Sequence, residues 1–314
     1  MSEEVLFLLE NIMAGSLLIS VVICTRNRGN LIVPTIETIL ANIYTNFELL
    51  VIDQSTNCIT ENAVKRFASD KRLRYIRTDT EGTGVSRYLG LCEARGKYVL
   101  YTDDDCVVSE DWIGTITNIF ENNPKTAVVF SSVAPGEFDV KAGMIPNHVY
   151  KKDRTIGSLQ KYYKSIGMGA SMAVRRDAVM AIGGFDQKLG PGSIFRSGED
   201  HDIAVRALLN GWHVRETART TVIHFGFRTY DQFRELTERD WFSLGAIYAK
   251  TLKSKHFSVL AILLYNLIVR NFLVPLTMIF KAQKPNGFRR GLALSQGFFA
   301  GLKVPVDTKN VLYK

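Results

Sequence analysis

Short apolar runs alternate along the first 230 residues with stretches of helical periodicity. The apolar runs, which predict strands, occupy residues 17–24, 47–52, 73–76 and 98–102. The helical patterns lie between and after them, at residues 31–43, 60–69 and about 84–94. A near-continuous run such as LLISVVIC is typical of a strand that is buried on both faces. The alternation therefore predicts an α/β fold with a mostly parallel, Rossmann-like sheet and helices on both of its faces.

A polar residue stands at the end of three of these predicted strands. Thr25 follows the first run, Asp53 the second and Asp103 the fourth. Ligands of open α/β sheets bind at the carboxyl ends of the strands. We therefore expect these three residues to meet at one binding site.

The pattern is less regular after residue 126. Further strands are predicted at residues 127–130, 171–174 and 222–223, and the last of them ends at His224. Short helices are predicted at residues 177–182 and 203–209. Residues 134–168 are rich in Gly, Lys and Tyr, and we expect them to form a loop-rich insertion over the site.

The chain is predicted to have three parts. Residues 1–17 form an N-terminal helical extension, residues 18–230 the α/β domain, and residues 231–314 a C-terminal helical segment. Within the last part, residues 257–280 are strongly apolar but contain Arg270 near their middle, which is costly in a membrane span. Residues 255–290 are flanked by basic side chains, so the segment either contacts a membrane peripherally or packs as a buried helix, against the α/β domain or a second copy.

Composition narrows the classes of partner. The formal net charge is +8, which suits nucleic acid, an anionic membrane or a polyphosphate ligand. No finger spacing or RNP-type aromatic sequence accompanies the charge, so we expect no nucleic-acid partner. The four cysteines form no C-x-x-C pair, and no basic leader precedes an apolar stretch at the N-terminus. These features predict a cytoplasmic protein, at the inner face of a membrane if residues 255–290 contact one.

Three adjacent carboxylates, Asp103, Asp104 and Asp105, follow the fourth strand. Their mutual repulsion costs stability unless a cation or hydrogen-bond donors offset it. Carboxylates at a strand end suit Mg²⁺ or Mn²⁺, which prefer oxygen ligands and bind substrate phosphates. The alternative is an acidic turn that caps the helix beginning near Asp111.

Two further motifs place an acidic or imidazole side chain at the end of a predicted helix or strand. Glu199 and Asp200 precede a predicted helix, so they lie near its positive end; a simple helix cap is the alternative. His224 follows the last strand, where a neutral imidazole can bind Mn²⁺ or phosphate; a satisfied core histidine is the alternative.

Taken together, these motifs resemble family 2 glycosyltransferases of the GT-A fold. The resemblance spans about residues 18–226 and rests on ISVVICTRNR, VID, the segment from Gly84 to Arg87, TDDD, GASMAVRR, GGFD and GED, which occur in the order that the family uses. Two positions depart from the family pattern, because Cys24 replaces a usual Pro and Tyr88 a common Asn. Both departures concern loop geometry and leave the acidic groups intact.

The resemblance implies a role for each matching residue. Thr25, Asn27 and Asp53 would line the nucleotide base pocket, and Gly84 and Arg87 would approach the ribose or diphosphate. Asp103 would touch the ribose or the metal, and Asp104 would support its two neighbours. Asp105 would bind Mn²⁺ or Mg²⁺, with His224 as a further metal ligand. Asp200 would be the general base, and Glu199 would orient the acceptor.

The implied activity is metal-dependent, inverting transfer of a sugar from a nucleotide diphosphate donor, with UDP the commonest nucleotide. The implied acceptor is a hydroxyl group of a saccharide or a lipid-linked molecule. Polysaccharide and protein acceptors stay open, as do GDP and dTDP in place of UDP. Two alternatives stay open: a non-catalytic nucleotide-sugar-binding scaffold and a nucleotidyltransferase. No G-x-G-x-x-G follows the first strand, which argues against a dehydrogenase. Whether the chain forms a homo-oligomer is left open.

Overall fold

The computed structural model describes residues 17–162, 167–280 and 287–314. The helix predicted for the first 15 residues lies outside the described residues. The strands are β1 Ile19–Thr25, β2 Phe47–Asp53, β3 Leu73–Arg77, β4 Tyr98–Asp103, β5 Cys106–Val108, β6 Thr126–Pro135, β7 Gly143–Met144, β8 Arg154–Ile156, β9 Met172–Arg175, β10 His213–His224, β11 Arg228–Thr229, β12 Val306–Asp307 and β13 Leu312–Tyr313.

The helices surround a central sheet. They are α1 Val33–Leu40, α2 Ile59–Val64, α3 Thr83–Glu93, α4 Trp112–Glu121, α5 Leu159–Tyr162, α6 Arg176–Ala181, α7 Glu199–Leu209, α8 Tyr230–Lys253, α9 Val259–Leu264, α10 Val274–Phe280 and α11 Phe288–Lys303. A π-helical stretch, Tyr265–Leu273, joins α9 to α10. Short 3₁₀ turns at Gly29–Ile32, Lys65–Phe67 and Gly169–Ser171 complete the described elements.

The central sheet has the order β3-β2-β1-β4-β9-β6-β10-β5, and β8 pairs with residues 214–216 near the start of β10. β1 is parallel to both β2 and β4, and β10 is parallel to β6. β9 lies between β4 and β6 and is antiparallel to both. Most long strands therefore point the same way, which confirms the predicted GT-A class of fold with a C-terminal helical extension.

Alternate residues of β1 pack on opposite faces of the sheet. Val22 belongs to one apolar cluster, whereas Val21 and Ile23 belong to the other, and all three side chains are fully buried. A strand that is covered on both faces favours apolar side chains at nearly every position, which explains the near-continuous run in the sequence. The polar residue within it, Ser20, is buried and donates to Glu48 Oε1 at 2.7 Å.

Two predicted elements are much longer in the structure. β10 begins at His213 rather than residue 222, because it pairs with β6 and β8 along a segment, HVRETARTT, that has no apolar run. Helix α7 begins at Glu199 rather than residue 203. The predicted loop-rich insertion contains only two short strands and one helical turn among its described residues, namely β7, β8 and α5.

Helix α8 joins the C-terminal segment to the α/β domain through a buried ion-pair network. Lys250 Nζ lies 2.5 Å from Asp186 Oδ2 and 2.7 Å from Asp202 Oδ1, and all three side chains are completely buried. Tyr313 N donates to the same Asp186 oxygen at 3.0 Å, so the β12–β13 hairpin also contacts this network. Ala246 and Ile247 of α8 extend the apolar core on this side.

The apolar helix after α8 has one face on the protein and one face exposed. Val259, Ile262 and Asn266 are buried, and Asn266 Nδ2 donates to the Tyr248 hydroxyl at 2.9 Å. The exposed apolar face comprises Leu260, Leu264, Ile268 and Phe272 of this helix together with Phe288 and Leu292 of α11. Among the described residues, only the helix from Val259 to Met278 is long and apolar enough to cross a membrane by length and composition.

Candidate active site

A cavity of about 1140 Å³ opens at the carboxyl ends of the central strands. In the sheet register, Thr25 is level with Asp53 and Cys24 is level with Asp103, so the three strand ends lie side by side at one edge of the sheet. The cavity is lined by most of the predicted site residues: Thr25, Asn27, Arg87, Asp103, Asp104, Asp105, Glu199, Asp200 and His224.

Asp53 and Gly84, the other two predicted site residues, do not line this cavity. Asp53 is buried, accepting a hydrogen bond from the Tyr75 hydroxyl at 2.6 Å and another from Ser55 N at 2.8 Å. A Cβ at Gly84 would lie 2.4 Å from the Leu189 carbonyl oxygen and 2.6 Å from that of Asp186. Gly84 therefore allows α3 to pack closely on the turn that follows the GGFD motif.

The loop after β1 is held in shape from the side of β2. Asn27 has a φ of +57°, in the left-handed region that asparagine tolerates. Its backbone N donates to Ser55 Oγ at 2.7 Å, and its Oδ1 accepts from Thr56 N at 3.0 Å. Because Ser55 N also donates to Asp53, the buried Asp53 supports the loop that carries Thr25 and Asn27.

Arg28, which the sequence analysis did not single out as a site residue, contacts two of the three adjacent acids. Its Nε lies 3.0 Å from Asp104 Oδ1, and its Nη2 lies 3.1 Å from Asp105 Oδ2. Burial raises the pKa of Asp104 to about 7, although the charge of Arg28 opposes the rise. The guanidinium thus offsets part of the repulsion within the acidic cluster.

Asp105 and His224 form a pair that fits a divalent cation. Asp105 Oδ1 is buried and makes no hydrogen bond within the described residues, while His224 Nε2 lies 3.3 Å away from it. His224 Nδ1 lies 2.9 Å from the Pro146 carbonyl oxygen, which fixes the ring and directs Nε2 towards Asp105. Burial lowers the pKa of His224, but contact with Asp105 more than offsets this and raises it overall.

The neighbourhood of this pair favours a hard cation. A Cβ at Gly226 would lie 2.5 Å from His224 Nε2, so the glycine keeps the space beside that nitrogen free. The Cys106 thiol lies close to both groups, but burial raises its pKa well above the usual value. The other two groups offer carboxylate oxygen and imidazole nitrogen, donors that suit Mn²⁺ or Mg²⁺.

Arg87 connects the strand-end acids to helix α7. Its side chain is only 4% exposed; Nη2 lies 3.2 Å from Asp103 Oδ1 and Nη1 lies 2.8 Å from Glu199 Oε1. Burial raises the pKa of Glu199 to about 7, and the charge of Arg87 opposes that rise. A buried arginine between two acids positions both of them, so Arg87 is committed to protein contacts at this site.

Asp200 is fixed at the first turn of α7. Gly169 N donates to its Oδ2 and His201 N to its Oδ1, both at 2.7 Å. A Cβ at Gly169 would lie 2.3 Å from Arg87 Nη1, so only glycine fits between the Arg87 guanidinium and Asp200. The carboxylate is held by two backbone donors and still lines the cavity, which is the arrangement that a positioned base requires.

Comparison with known proteins identifies the family and the fold. The family model described as "Glycosyl transferase family 2" matches residues 20–183. A glucosyl-dolichyl phosphate glucuronosyltransferase of Haloferax volcanii is 26% identical over 231 residues, which cover 71% of this chain and 72% of that protein.

Two solved structures are similar in fold along most of the chain. The mannosyltransferase PcManGT from Pyrobaculum calidifontis, in complex with GDP-Man and Mn²⁺, has a TM-score of 0.60 at 15% identity, covering 94% of this chain and 93% of that one. S. aureus TarS 1–349 in complex with UDP-GlcNAc has a TM-score of 0.58 at 16% identity, covering 94% and 83%.

Proposed function

The chain belongs to glycosyl transferase family 2, and we propose that it is a metal-dependent, inverting glycosyltransferase that uses a nucleotide diphosphate sugar. The donor nucleotide we propose is UDP, and the acceptor is a hydroxyl group of a glycan or glycolipid. The observation that carries the proposal is one cavity lined by Asp103, Asp105, His224 and Asp200. The residues proposed to hold the cation and the residue proposed as the base therefore face the same space.

Asp105 and His224 would hold Mn²⁺ or Mg²⁺, with Asp103 beside them. Bound there, the cation would act as a Lewis acid towards the negative charge that develops on the departing diphosphate. Arg28 keeps the Asp104 and Asp105 carboxylates in place through its two contacts. Among the described residues that line the cavity, the set of oxygen and imidazole donors fits such a cation better than it fits a soft metal.

Asp200 is the base in this proposal. Its carboxylate accepts the proton of the acceptor hydroxyl as that oxygen bonds to the anomeric carbon, and the bond from that carbon to the diphosphate oxygen breaks. A single displacement inverts the anomeric configuration. Glu199 orients the acceptor, and Arg87 sets the position of Glu199 relative to Asp103.

Thr25 and Asn27 would contact the nucleoside of the donor. Both line the cavity on the loop after β1. Asp53 and Gly84 would serve the donor indirectly, since Asp53 holds Ser55 beneath Asn27 and Gly84 permits the close approach of α3. The buried Arg87 would act on the diphosphate end by holding Asp103.

We further propose that residues 255–290 contact the cytoplasmic face of a membrane peripherally. The exposed apolar face supports this, because its side chains lie on neighbouring helices rather than singly on the surface. The name of the Haloferax volcanii relative refers to a dolichyl phosphate-linked substrate, which favours a lipid-linked acceptor for this chain as well.

The decisive experiment is a screen of UDP-, GDP- and dTDP-sugars for nucleotide release, with and without Mn²⁺, using membranes as the source of acceptor. The proposal expects a nucleoside diphosphate as product, dependent on the cation and stimulated by membranes. Release of pyrophosphate from a nucleoside triphosphate would indicate a nucleotidyltransferase. Donor binding without any turnover would indicate a non-catalytic scaffold.

A further inference from the structure

The cavity continues beyond Asp200 into the C-terminal helices, and that part carries three arginines. Arg239 comes from α8, Arg270 from the π-helical stretch and Arg290 from the first turn of α11. Apolar side chains line the same part of the cavity, including Leu236, Trp241, Leu244, Ile247 and Ile262. Three separate segments therefore direct a cationic side chain towards one partly apolar space.

Within the described residues, none of these three arginines forms an ion pair with a carboxylate. Arg239 Nε is buried and has no hydrogen-bond partner there. Arg270 makes one long hydrogen bond, 3.4 Å from Nη1 to Asn266 Oδ1, and its guanidinium lies 5.2 Å from the centroid of the Trp241 ring. Burial and the positive charge of Arg270 together lower the pKa of Arg290.

Unpaired guanidinium groups that share a cavity repel one another and have lost part of their hydration, which costs stability. Two other arginines that line the cavity are paired with acids, since Arg28 contacts Asp104 and Asp105, and Arg87 contacts Asp103 and Glu199. Asp240, which also lines the cavity, interacts electrostatically with Arg239. Arg270 and Arg290 have no such carboxylate partner among the described residues, so a ligand could supply their counter-charge. Planar guanidinium groups match the oxygens of phosphate better than ammonium groups do.

The arginines lie on the side of the cavity near the proposed base. Asp240, which follows Arg239 in α8, accepts a hydrogen bond from Ser197 Oγ at 2.6 Å. Ser197 lies just before α7, and the first turn of α7 carries Asp200. The cation site at Asp105 and His224 is formed instead by the ends of β4 and β10. An anion bound by the arginines would thus belong to the acceptor rather than to the donor.

We propose that Arg239, Arg270 and Arg290 form a subsite for a phosphate group of the acceptor. This subsite rests on the proposed function only where the bound phosphate is assigned to the acceptor. The phosphate could belong to a lipid or to a water-soluble phosphorylated glycan, and both present the same anionic oxygens.

The test is calorimetric binding of farnesyl phosphate, farnesol and glycerol 1-phosphate to the full chain with UDP and Mn²⁺ present. The double variant Arg270→Gln/Arg290→Gln should bind the phosphates at least about tenfold more weakly, the value of one lost charge-assisted hydrogen bond. Arg289→Gln is the matched control, because this adjacent, 73% exposed side chain does not line the cavity and contacts Glu238 at 3.6 Å.

Farnesyl phosphate binding more tightly than glycerol 1-phosphate would identify a lipid source, and equal binding a soluble one. The subsite is refuted if the double variant binds both phosphates like the wild type, if neither phosphate binds, or if farnesol binds as tightly as farnesyl phosphate. Thermal unfolding reports whether the variants are folded, and Arg290→Gln alone replaces the double variant if that one is not. Nucleotide release from the sugar donor tests the proposed function separately, so the two failures are distinguishable.

Discussion

Arg87 Nη1 donates to Glu199 Oε1 at 2.8 Å, although the two residues are 112 positions apart in the sequence. The same guanidinium contacts Asp103 at 3.2 Å, so one buried side chain sets the distance between the end of β4 and the start of α7. In the proposed mechanism, a donor held at the first and an acceptor held at the second would have to be aligned to within about 1 Å for efficient transfer. Arg87 is the connection on which that alignment depends.

Arg87→Lys should therefore impair turnover strongly. A lysine keeps the charge but cannot bridge two carboxylates with a planar fork, and a misplacement of about 1 Å can cost about 100-fold in rate. The measurement is kcat for sugar transfer, with donor affinity recorded in parallel. Arg74→Lys is the control, because Arg74 bridges Glu48 and Glu93 away from the cavity. Equal kcat values in the two variants would contradict the alignment role.

Asp200→Asn should abolish most transfer while leaving donor binding unchanged. An amide cannot accept the acceptor proton, and loss of a general base typically lowers kcat by about 10²- to 10⁴-fold. The control is Asp177→Asn, since Asp177 is likewise in the first turn of a helix and accepts from the next residue's N–H at 2.8 Å. If Asp200→Asn kept wild-type turnover, Asp200 would not be the base.

His224→Ala should weaken cation binding. The variant loses the imidazole nitrogen that faces Asp105, and we expect the Mn²⁺ affinity to fall at least about tenfold. Titration of Mn²⁺ followed by electron paramagnetic resonance measures this without reference to activity. His213→Asn, at the other end of the same strand and outside the cavity, should bind Mn²⁺ like the wild type. If His224→Ala also does so, the cation lies elsewhere.

Asp186→Asn should destabilise the fold in a pH-dependent way. Removing one partner of a buried ion pair leaves Lys250 less compensated, at a cost of about 3 kcal/mol near neutral pH. Burial alone would raise the pKa of Asp186, but Lys250 lowers it below the ordinary 3.8. Its stabilising contribution is therefore present above pH 3.8 and is lost as the pH falls through the lower, folded-state pKa.

Urea unfolding between pH 8 and pH 3 measures this difference in the free energy of unfolding. The gap between wild type and Asp186→Asn should be constant down to about pH 4 and shrink below it. Asp307→Asn is the control, because the pKa of Asp307 is also lowered but its carboxylate pairs at the surface. A gap that widens on acidification would show that Lys250 does not stabilise the ionised carboxylate.

Leu264→Glu/Ile268→Glu should reduce association with vesicles of phosphatidylglycerol and phosphatidylethanolamine. Both side chains are about half exposed on the apolar face, and glutamate there adds a charge that the lipid interior and anionic headgroups disfavour. Flotation in a density gradient measures the bound fraction. Ile59→Glu/Val140→Glu is the matched control, with exposed apolar residues away from that face. Equal flotation of the two variants would argue against the proposed contact.

The sequence predicted the elements whose signal is local. β1 and β2 are apolar at most positions because both faces of the sheet are covered, and their ends marked the position of the cavity. The first half of β10 has no such run, since its strand conformation depends on pairing with β6 and β8. Predicting it would have required the register of strands that are far apart in the chain.

The sequence likewise predicted only part of the site, namely the acidic residues but not the contacts between them and distant side chains. Acids at strand and helix ends were visible as motifs, and Asp105 and Asp200 do line one cavity. The contacts of Arg28 with Asp104 and Asp105 depend on a separation of more than 70 residues, which no spacing rule reveals. The contacts of Asp53 were equally out of reach, since its oxygens accept from the Tyr75 hydroxyl and from Ser55 N, and Tyr75 comes from the neighbouring strand β3.

The Lys250 network has a consequence for any attempt to divide the protein. A fragment that stopped at residue 230 would retain Asp186 and Asp202 in its interior without the ammonium group that lies between them. Asp202 would keep its contact with Arg206 Nε at 2.8 Å, but Asp186 would lose the ion pair with Lys250. An uncompensated carboxylate of that kind costs a large part of the small margin by which most domains are stable. Domain-swap chimaeras that aim to change the acceptor should accordingly exchange helix α8 together with its two carboxylate partners.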